Sequence, residues 1–543
     1  MINTNLVNSL SQVFLSTKKS LKKIYQNSNF YDKKISKVNN NNFQYKPSPH
    51  LLSPIIKYQK KKYKIENFAL ESIWVDNIKF KDYEKLNNFF WFFSLDLKSS
   101  KKTTQSVIFN WIDNNHRYNE KSWEFDITAK RIIAWLSNYQ LTYEDSDKKF
   151  RIKFNQSVQK QTNHLLNEIS NSDEFENKMI GCAAIILTGL AYQDHKNYLE
   201  NGLILLKKII KSSIDNQGFP KSRNIKQLSF YLKYFIIIRE WFKESQNTVP
   251  EYIDETIYYL GQSYCFIWQN TNQDILFNGN YLSNNNEFDH YLKRFGYKFK
   301  NQNKELGGYA ILRNKKIILA VDVGPSPNKS FSKDYQSGAL SFEIISNGKK
   351  LINNSGYFAN KKNKLNKLSK STALQNTLTI EDYSSCDFIK NKRKNHVIEK
   401  GLKISKKNIV FEDNYWKISA SHDGYYQKFK SIHEREIEFY PEQIKFIGFD
   451  KILRKETNKE IKFDIRFHLA PNTKVMKTSD NKSILVELDD EGWKFSCDKF
   501  DINIDNGLYF GNKNSYKENQ NIYISGMTNK PEEIIKWEII KLK

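Results

Sequence analysis

GGYAILRNKKIILAVDVGP, residues 307–325, is the stretch whose reading decides the fold. Tyr309–Arg313 and Lys316–Val321 are two short runs rich in Ile, Leu and Ala, parted by a polar Asn/Lys turn. That is the signature of a β-hairpin. The same texture continues downstream. Leu340–Ile345, Asn376–Ile380, Tyr415–Ala420, Ile444–Asp450, Phe463–Leu469 and Ile484–Leu488 read as further strands, separated by Gly, Asn, Asp, Lys or Pro turns. Many short strands without intervening helices predict an antiparallel β-sandwich.

Upstream of Gly307 the period changes. From about residue 65 to 300 the spacing is helical. Ala129, Ile132, Ile133 and Leu136 fall at i, i+3, i+4 and i+7, as do Leu228, Tyr231, Leu232 and Phe235. Residues 179–194 and 201–213 are two more helices, joined by a short polar turn at Asp194 and His195. Thr248 and Glu251 read as a capping box, with Pro250 in the first turn of a helix running to about 268. Short connections between helices predict antiparallel hairpins. Three segments follow: a basic arm or amphipathic helix with linker over 1–60, an all-α domain over 61–303, and a sandwich over 304–543.

The chain has 543 residues, 39% hydrophobic and 14% aromatic, so it can bury large cores. Its 86 Lys and Arg against 60 Asp and Glu give +26, a field that favours polyanions. Lys on every exposed face would give the same count, so charge alone does not choose the partner. Cys182, Cys265, Cys386 and Cys497 lie far apart and form no CxxC pair, which points to buried free thiols. The opening MINTNLVNSLSQVFLSTKKSLKKIYQ has its apolar residues interrupted by Asn, Ser and Gln, so no signal peptide is readable. Leu6, Val7, Leu10, Val13, Phe14 and Leu21, with Lys22 and Lys23, instead suit an amphipathic helix. Contact with a membrane surface and packing on the protein both remain open for it. Residues 27–50, rich in Asn, Lys and Ser, read as a linker or extended arm.

Several motifs, in order, resemble the heparinase II/III-like polysaccharide lyases. Residues 307–325 are similar to the first hairpin of that family's C-terminal domain. SGALSFEIISNGKKLINNSGYF (337–358) resembles its H-A-x-x-L-S-F-E stretch, and STALQNTLTIED (371–382) its R-x-T-x-A-H-N-T-L stretch. SHDGY (421–425) and FHLAP (467–471) fall where relatives carry such strands. WEFDITAKRIIAWLSNY (123–139) and DNQGFPKSRN (215–224) resemble helical segments of bacterial relatives. The resemblance implies an (α/α) toroid followed by a β-sandwich. It also implies β-elimination on an acidic, uronic-acid polysaccharide, heparan-like, alginate-like or a self-made surface polymer. No cofactor is required. Relatives often work in the periplasm or cell envelope, whereas the unreadable signal peptide points to the cytoplasm.

β-Elimination needs a donor that quiets the uronate carboxylate, a base for the C5 proton and an acid for the departing C4 oxygen. In the family an Asn, His or Arg does the first task, and Tyr and His share the others. Arg223 and Asn224, directly ahead of an apolar-periodic helix, are the candidates for the carboxylate, and Asn224 is equally placed to cap that helix. Tyr281, after FNGN (277–280), is the candidate base or acid, with a packing role as the alternative. Tyr309 is a family-like position read either as touching substrate or, on its strand, as structural, and Asn376 is expected to touch substrate. Gln336 and Gln375 stand where relatives carry His. Gln hydrogen-bonds but does not shuttle a proton near neutral pH. Their presence also removes the expected ligands of a structural metal found in some relatives. Tyr335 is the candidate to take over proton transfer from Gln336, and His422, beside an Asp-Gly turn, is a further catalytic candidate. His468 among apolar neighbours reads as a satisfied core histidine. His433, Glu434 and Arg435 read as a solvated or cross-strand paired face. Asp322 is expected to hold a turn, and Ser341 and Glu343 to serve local structure. No Walker A, G-x-S-x-G, HExxH or tandem CxxC motif occurs. The substitutions leave a second function open, a relative that binds acidic polysaccharide or assists its biosynthesis or export without turnover. A nucleic-acid-binding protein rests on charge alone and is not expected.

Overall fold

The structure is a computed structural model. It describes residues 17, 20–38, 43–54, 80–95, 98, 100–172, 174–192, 196–283, 285–391, 395–471 and 473–542. The expected turn at Asp194 and His195 lies outside them, as does the segment before Thr17. Compactness divides the described chain into two units. One takes Met1–Ser212, Phe230–Ile257 and Asn285–Tyr297, and the other Ser213–Ser229, Tyr258–Asn284 and Lys298–Lys543.

The first unit is helical. Side-chain oxygens set where its helices begin: Ser100 accepts from the N–H of Thr103 ahead of Lys101–Asn114, and Asp147 from that of Phe150 ahead of Lys148–Glu168. Phe125–Ser137 packs on Phe175–Ala191, and the periodic set Ala129, Ile132, Ile133 and Leu136 is fully buried. Arg131 is buried with them, its face against the Trp111 ring and its donors on Gln161 and the carbonyls of Asn87 and Ser122. Part of the expected linker is a helix, Asn29–Ile35, because Ser28 caps it and Tyr31 and Ile35 bury one face. Among the described residues no helix is long and apolar enough to cross a membrane.

The second unit is built on antiparallel sheets. Glu305–Leu306, Tyr309–Arg313, Ile317–Asp322, Phe342–Ser346 and Lys349–Ile352 pair in chain order. An eight-stranded sheet runs in space Lys474–Lys477, Ser483–Leu488, Glu491–Cys497, Glu532–Lys541, Lys445–Arg454, Ser431–Tyr440, Trp416–His422 and Ile404–Phe411. A four-stranded sheet runs Ile502–Tyr509, Lys517–Thr528, Ile461–His468, Leu378–Ile380. The three sheets share one core: Phe342 stacks on Trp537 at 5.4 Å and Phe467 meets the same indole at 5.1 Å. Gly448 allows that indole to sit on its strand, since a Cβ there would lie 1.9 Å from the ring.

Of the two expectations for His433 and Arg435, the structure gives the cross-strand paired one and corrects the solvated one. Ser431–Tyr440 alternates, and these two side chains point inward with Ile437 and Phe439. Only Glu434 faces out, paired with Lys406 and Lys451. Inside, the Asp450 carboxylate accepts from Arg435 at 2.8 and 3.0 Å, from His433 at 2.6 Å and from the Trp537 indole at 2.8 Å. Against the upward push of burial, Arg435 and His433 hold Asp450 well below the usual carboxylate range.

Candidate active site

Tyr309, Asp322 and, through Gly279, Gln336 meet the Arg223–Asn224 loop that precedes the helix Ile225–Glu244. Asn224 caps this helix: its Oδ1 accepts from the N–H groups of Lys226 at 2.8 Å and Gln227 at 3.2 Å. Its Nδ2 has no hydrogen-bond partner among the described residues. That nitrogen lies against Gly279, where a Cβ would approach to 2.5 Å and where φ is +83°. Capping and donation therefore use opposite ends of one carboxamide.

Arg223, which adopts a left-handed φ of 58°, sets this loop. Its guanidinium donates to the carbonyls of Gly307, Gly308, Gly324 and Pro325 and to Asp322. Five N–H donors meet five acceptors, so none remains for a substrate carboxylate. Burial alone would lower its pKa, but Asp322 and Tyr309 raise it, and the charge is permanent. Arg223 is thus a positioning residue, contrary to its expected role in substrate binding. Asp322 holds the turn as expected, with Gly324 N–H on Oδ1 and the Asn278 amide on Oδ2 at 2.9 Å.

Tyr309 is fully buried on its strand, which fits the structural alternative and departs from a substrate contact. Its hydroxyl donates to the Arg223 carbonyl at 2.6 Å and accepts from Asn278, while its ring stacks on Phe277. Asn278 therefore ties the FNGN segment to Tyr309 and Asp322, a hub with no local signal in the sequence.

Tyr281 is half-buried, and its hydroxyl has no hydrogen-bond partner among the described residues. The Lys226 ammonium sits 4.5 Å from the centre of its ring and that of Lys513 5.9 Å. Burial, with Asp334 and Asp274 nearby, raises its phenol above the ordinary value. Asp334 borders the same Gly279 as Asn224, and its Oδ1 accepts from the Tyr357 hydroxyl at 2.9 Å. Burial pushes Asp334 up, but Lys333, Lys361 and Lys370 outweigh it and keep the carboxylate charged. Lys370 is buried, donates to the carbonyls of Lys333 and His396, and is pushed down to about 7 by burial. Lys226, Asp334 and Lys370 were missed because nothing local distinguishes them in a chain with 86 Lys and Arg.

The remaining candidates are built into the interior. Gln336 accepts from the Gly279 N–H at 3.0 Å and donates to the carbonyls of Gly356 and Ser369 at 2.9 and 2.7 Å, so its carboxamide is spent. Tyr335 does not take over proton transfer: its hydroxyl is buried without a partner beside Ala339, Cys386, Ile398 and Leu402. Burial pushes that phenol far above its ordinary value. Gln375 is buried with Nε2 unpartnered. Asn376 donates to the Phe342 carbonyl and accepts from His468 N–H, so neither is open to substrate. His422 faces the sandwich interior. Its Nδ1 accepts from Gly424 N–H at 3.1 Å, and its Nε2 lies 3.2 Å from His433, which hands the chain on to Asp450. Burial and His433 keep His422 neutral. His468 is the satisfied core histidine expected, between Ser355 and the Ala373 carbonyl. Ser341 and Glu343 are local as expected, Glu343 accepting from Leu276 and Asn354 N–H and from Lys350.

Among the described residues no three His, Cys, Asp or Glu side chains are grouped to hold a metal ion. The spent carboxamide of Gln336 and the neutral one of Gln375 do not fit the metal found in some relatives.

The helical unit and the antiparallel three-sheet unit define a helical-toroid-plus-β-sandwich fold. Residues 303–538 match the family described as Heparinase II/III-like, C-terminal. No curated protein matches the chain in sequence. Among solved structures, a mutant of the heparan sulfate lyase HepC from Pedobacter heparinus is similar at TM-score 0.67 and 13% identity, over 90% of this chain and 81% of that one. A heparinase III is similar at TM-score 0.66 and 15% identity, over 93% and 87%. A heparinase III with methylated lysines reaches TM-score 0.67 and 13% identity, over 99% and 90%. These bear out the resemblance read from the motifs and the fold class, an (α/α) toroid of helical hairpins followed by an antiparallel β-sandwich.

Proposed function

We propose that this protein acts on an acidic, uronic-acid-containing polysaccharide by β-elimination, with Asn224 and Tyr281 as its reacting groups. The observation that carries this reading is that Asn224 Nδ2 and the Tyr281 hydroxyl have no hydrogen-bond partner among the described residues, while the donors of Arg223 and Gln336 are all taken. Two lysines beside the Tyr281 ring suit an anionic sugar.

In this scheme the Asn224 amide donates to the uronate carboxylate, where charge accumulates as the C5 proton leaves. The ionised oxygen of Tyr281 takes that proton. The C5–H electron pair becomes the C4=C5 double bond and the C4–O bond breaks. The proton on Tyr281 then passes to the departing oxygen, which restores the phenolate. One side chain thus serves as base and acid on one face of the sugar. Arg223, Asp322 and Asn278 hold the loops that carry the pair.

The second reading, binding without turnover, is favoured by Gln336: its position offers no titratable group, and Tyr335 beside it is sealed in apolar surroundings. Incubation with heparan-like, alginate-like and other uronate polymers distinguishes the two. Growing ultraviolet absorbance of an unsaturated uronate is expected with one polymer. A flat trace with saturable binding would instead leave the binding protein.

A further inference from the structure

We propose that Asp334 is a specificity-determining residue whose Oδ2 accepts a hydrogen bond from a sugar hydroxyl next to the uronate carboxylate held by Asn224. The proposal rests on the reading of Asn224 and Tyr281 as the groups that meet the polymer. It adds the class of polymer accepted, one whose hydroxyls at that place are free rather than esterified.

Asn224 and Asp334 flank one residue without a side chain. A Cβ on Gly279 would lie 2.5 Å from Asn224 Nδ2 and 3.1 Å from the Asp334 Cβ. The chain segments that meet there are clamped together. Gln336 accepts from the Gly279 N–H at 3.0 Å, and its own N–H reaches Asn278 Oδ1 at 3.4 Å. On the other side of Asp334, the buried Lys370 ammonium donates to the Lys333 carbonyl. Amide donor and carboxylate are thus fixed relative to each other before any sugar arrives.

The carboxylate is also oriented from behind. Tyr357 and Asn366 are buried, and the Tyr357 hydroxyl donates to Asp334 Oδ1 at 2.9 Å while accepting from Asn366 Nδ2 at 3.0 Å. Oδ2 has no hydrogen bond among the described residues, and the side chain is 16% exposed. The ammonium groups of Lys333 and Lys361 stand 4.0 Å from Oδ2 and 3.9 Å from Oδ1, beyond hydrogen-bond reach. They keep Asp334 charged without filling the lone pairs of Oδ2. An ionised carboxylate only accepts, so it matches a hydroxyl through a charge-assisted bond and finds no donor on an ester. Beside an amide that donates to an anion, such an acceptor reads the neutral part of the same sugar.

The test is titration calorimetry and ultraviolet turnover of the full chain with alginate, unsulfated chondroitin and N-acetylheparosan, each with hydroxyls free and after chemical O-acetylation. Wild type is expected to bind the free form of one polymer about tenfold more tightly than its acetylated form. Asp334→Asn, isosteric and still able to accept from Tyr357, should weaken binding of the free form about tenfold and change that of the acetylated form less than about twofold. Tyr357→Phe, which keeps the charge but lets the carboxylate turn, should narrow the same ratio about threefold, and it carries the test if Asp334→Asn does not fold. Equal wild-type binding of both forms, or variants that leave the ratio unchanged, would overturn the proposal, because a purely structural Asp334 moves both forms together. Discrimination in affinity without turnover would end the elimination reading and keep this assignment. No binding of any polymer would end both.

Discussion

Replacing Gln336 by Glu changes one NH2 group to an oxygen and tests whether this position is a structural tie. The wild-type amide donates to the Gly356 and Ser369 carbonyls, and both bonds are buried. A carboxylate there orphans both acceptors and repels them. At about 1–3 kcal/mol for each of the two buried groups left unpaired, the loss is about 2–6 kcal/mol with the Glu ionised. Protonation restores one donor, so the folded state raises the pKa of the new Glu above its unfolded value. The sign follows: the group does least harm below the unfolded pKa of about 4.3, and the deficit grows by about 1.4 kcal/mol per pH unit until the folded pKa is passed. Urea unfolding of wild type and variant at matched pH reads this directly. A variant with wild-type midpoints at about pH 8 would refute the tie.

Other outcomes follow from the same geometry. His468 is pushed down to about 4 and His164 to about 3, mainly by burial, so both stay neutral in the fold while the unfolded chain protonates below about pH 6.5. Stability is therefore retained above that pH and lost below it, by about 2 kcal/mol for each at about pH 5, and the thermal midpoint should fall accordingly. Gly279→Ala places a methyl 2.5 Å from Asn224 Nδ2 at a φ of +83°, and should cut turnover or polymer affinity about tenfold while strand signals in circular dichroism persist. Because burial raises the Tyr281 phenol, kcat/KM should climb with pH into the alkaline range rather than peak near neutrality; a neutral bell would point to a histidine instead.

The sandwich was legible because alternation is local. Tyr309–Arg313 is found with the ends that its sequence suggests, and Lys445–Arg454 extends the run read from Ile444. The inward turn of His433 and Arg435 was also within reach, since period two places them with Ile437 and Phe439 and leaves Glu434, Glu436 and Glu438 outside. What pairs them is not local: Asp450 sits opposite Arg435 on the next strand. The same divide runs through the candidate site. Capping by Asn224 is written in the four residues around it. The fate of Arg223 depends on carbonyls about a hundred positions away, and that of Gln336 on Gly279, so residue type alone could not separate a reacting group from a tie. Buried Arg131 had no sequence signal, as its partners come from three separate segments.

The measurement that bears most directly on the account is the rate of ultraviolet absorbance growth for wild type and Tyr281→Phe on the same uronate polymer. Loss of turnover by about a thousandfold or more, with polymer affinity kept within a few-fold, is the predicted result. Wild-type turnover in Tyr281→Phe would contradict the assignment of proton transfer to Tyr281.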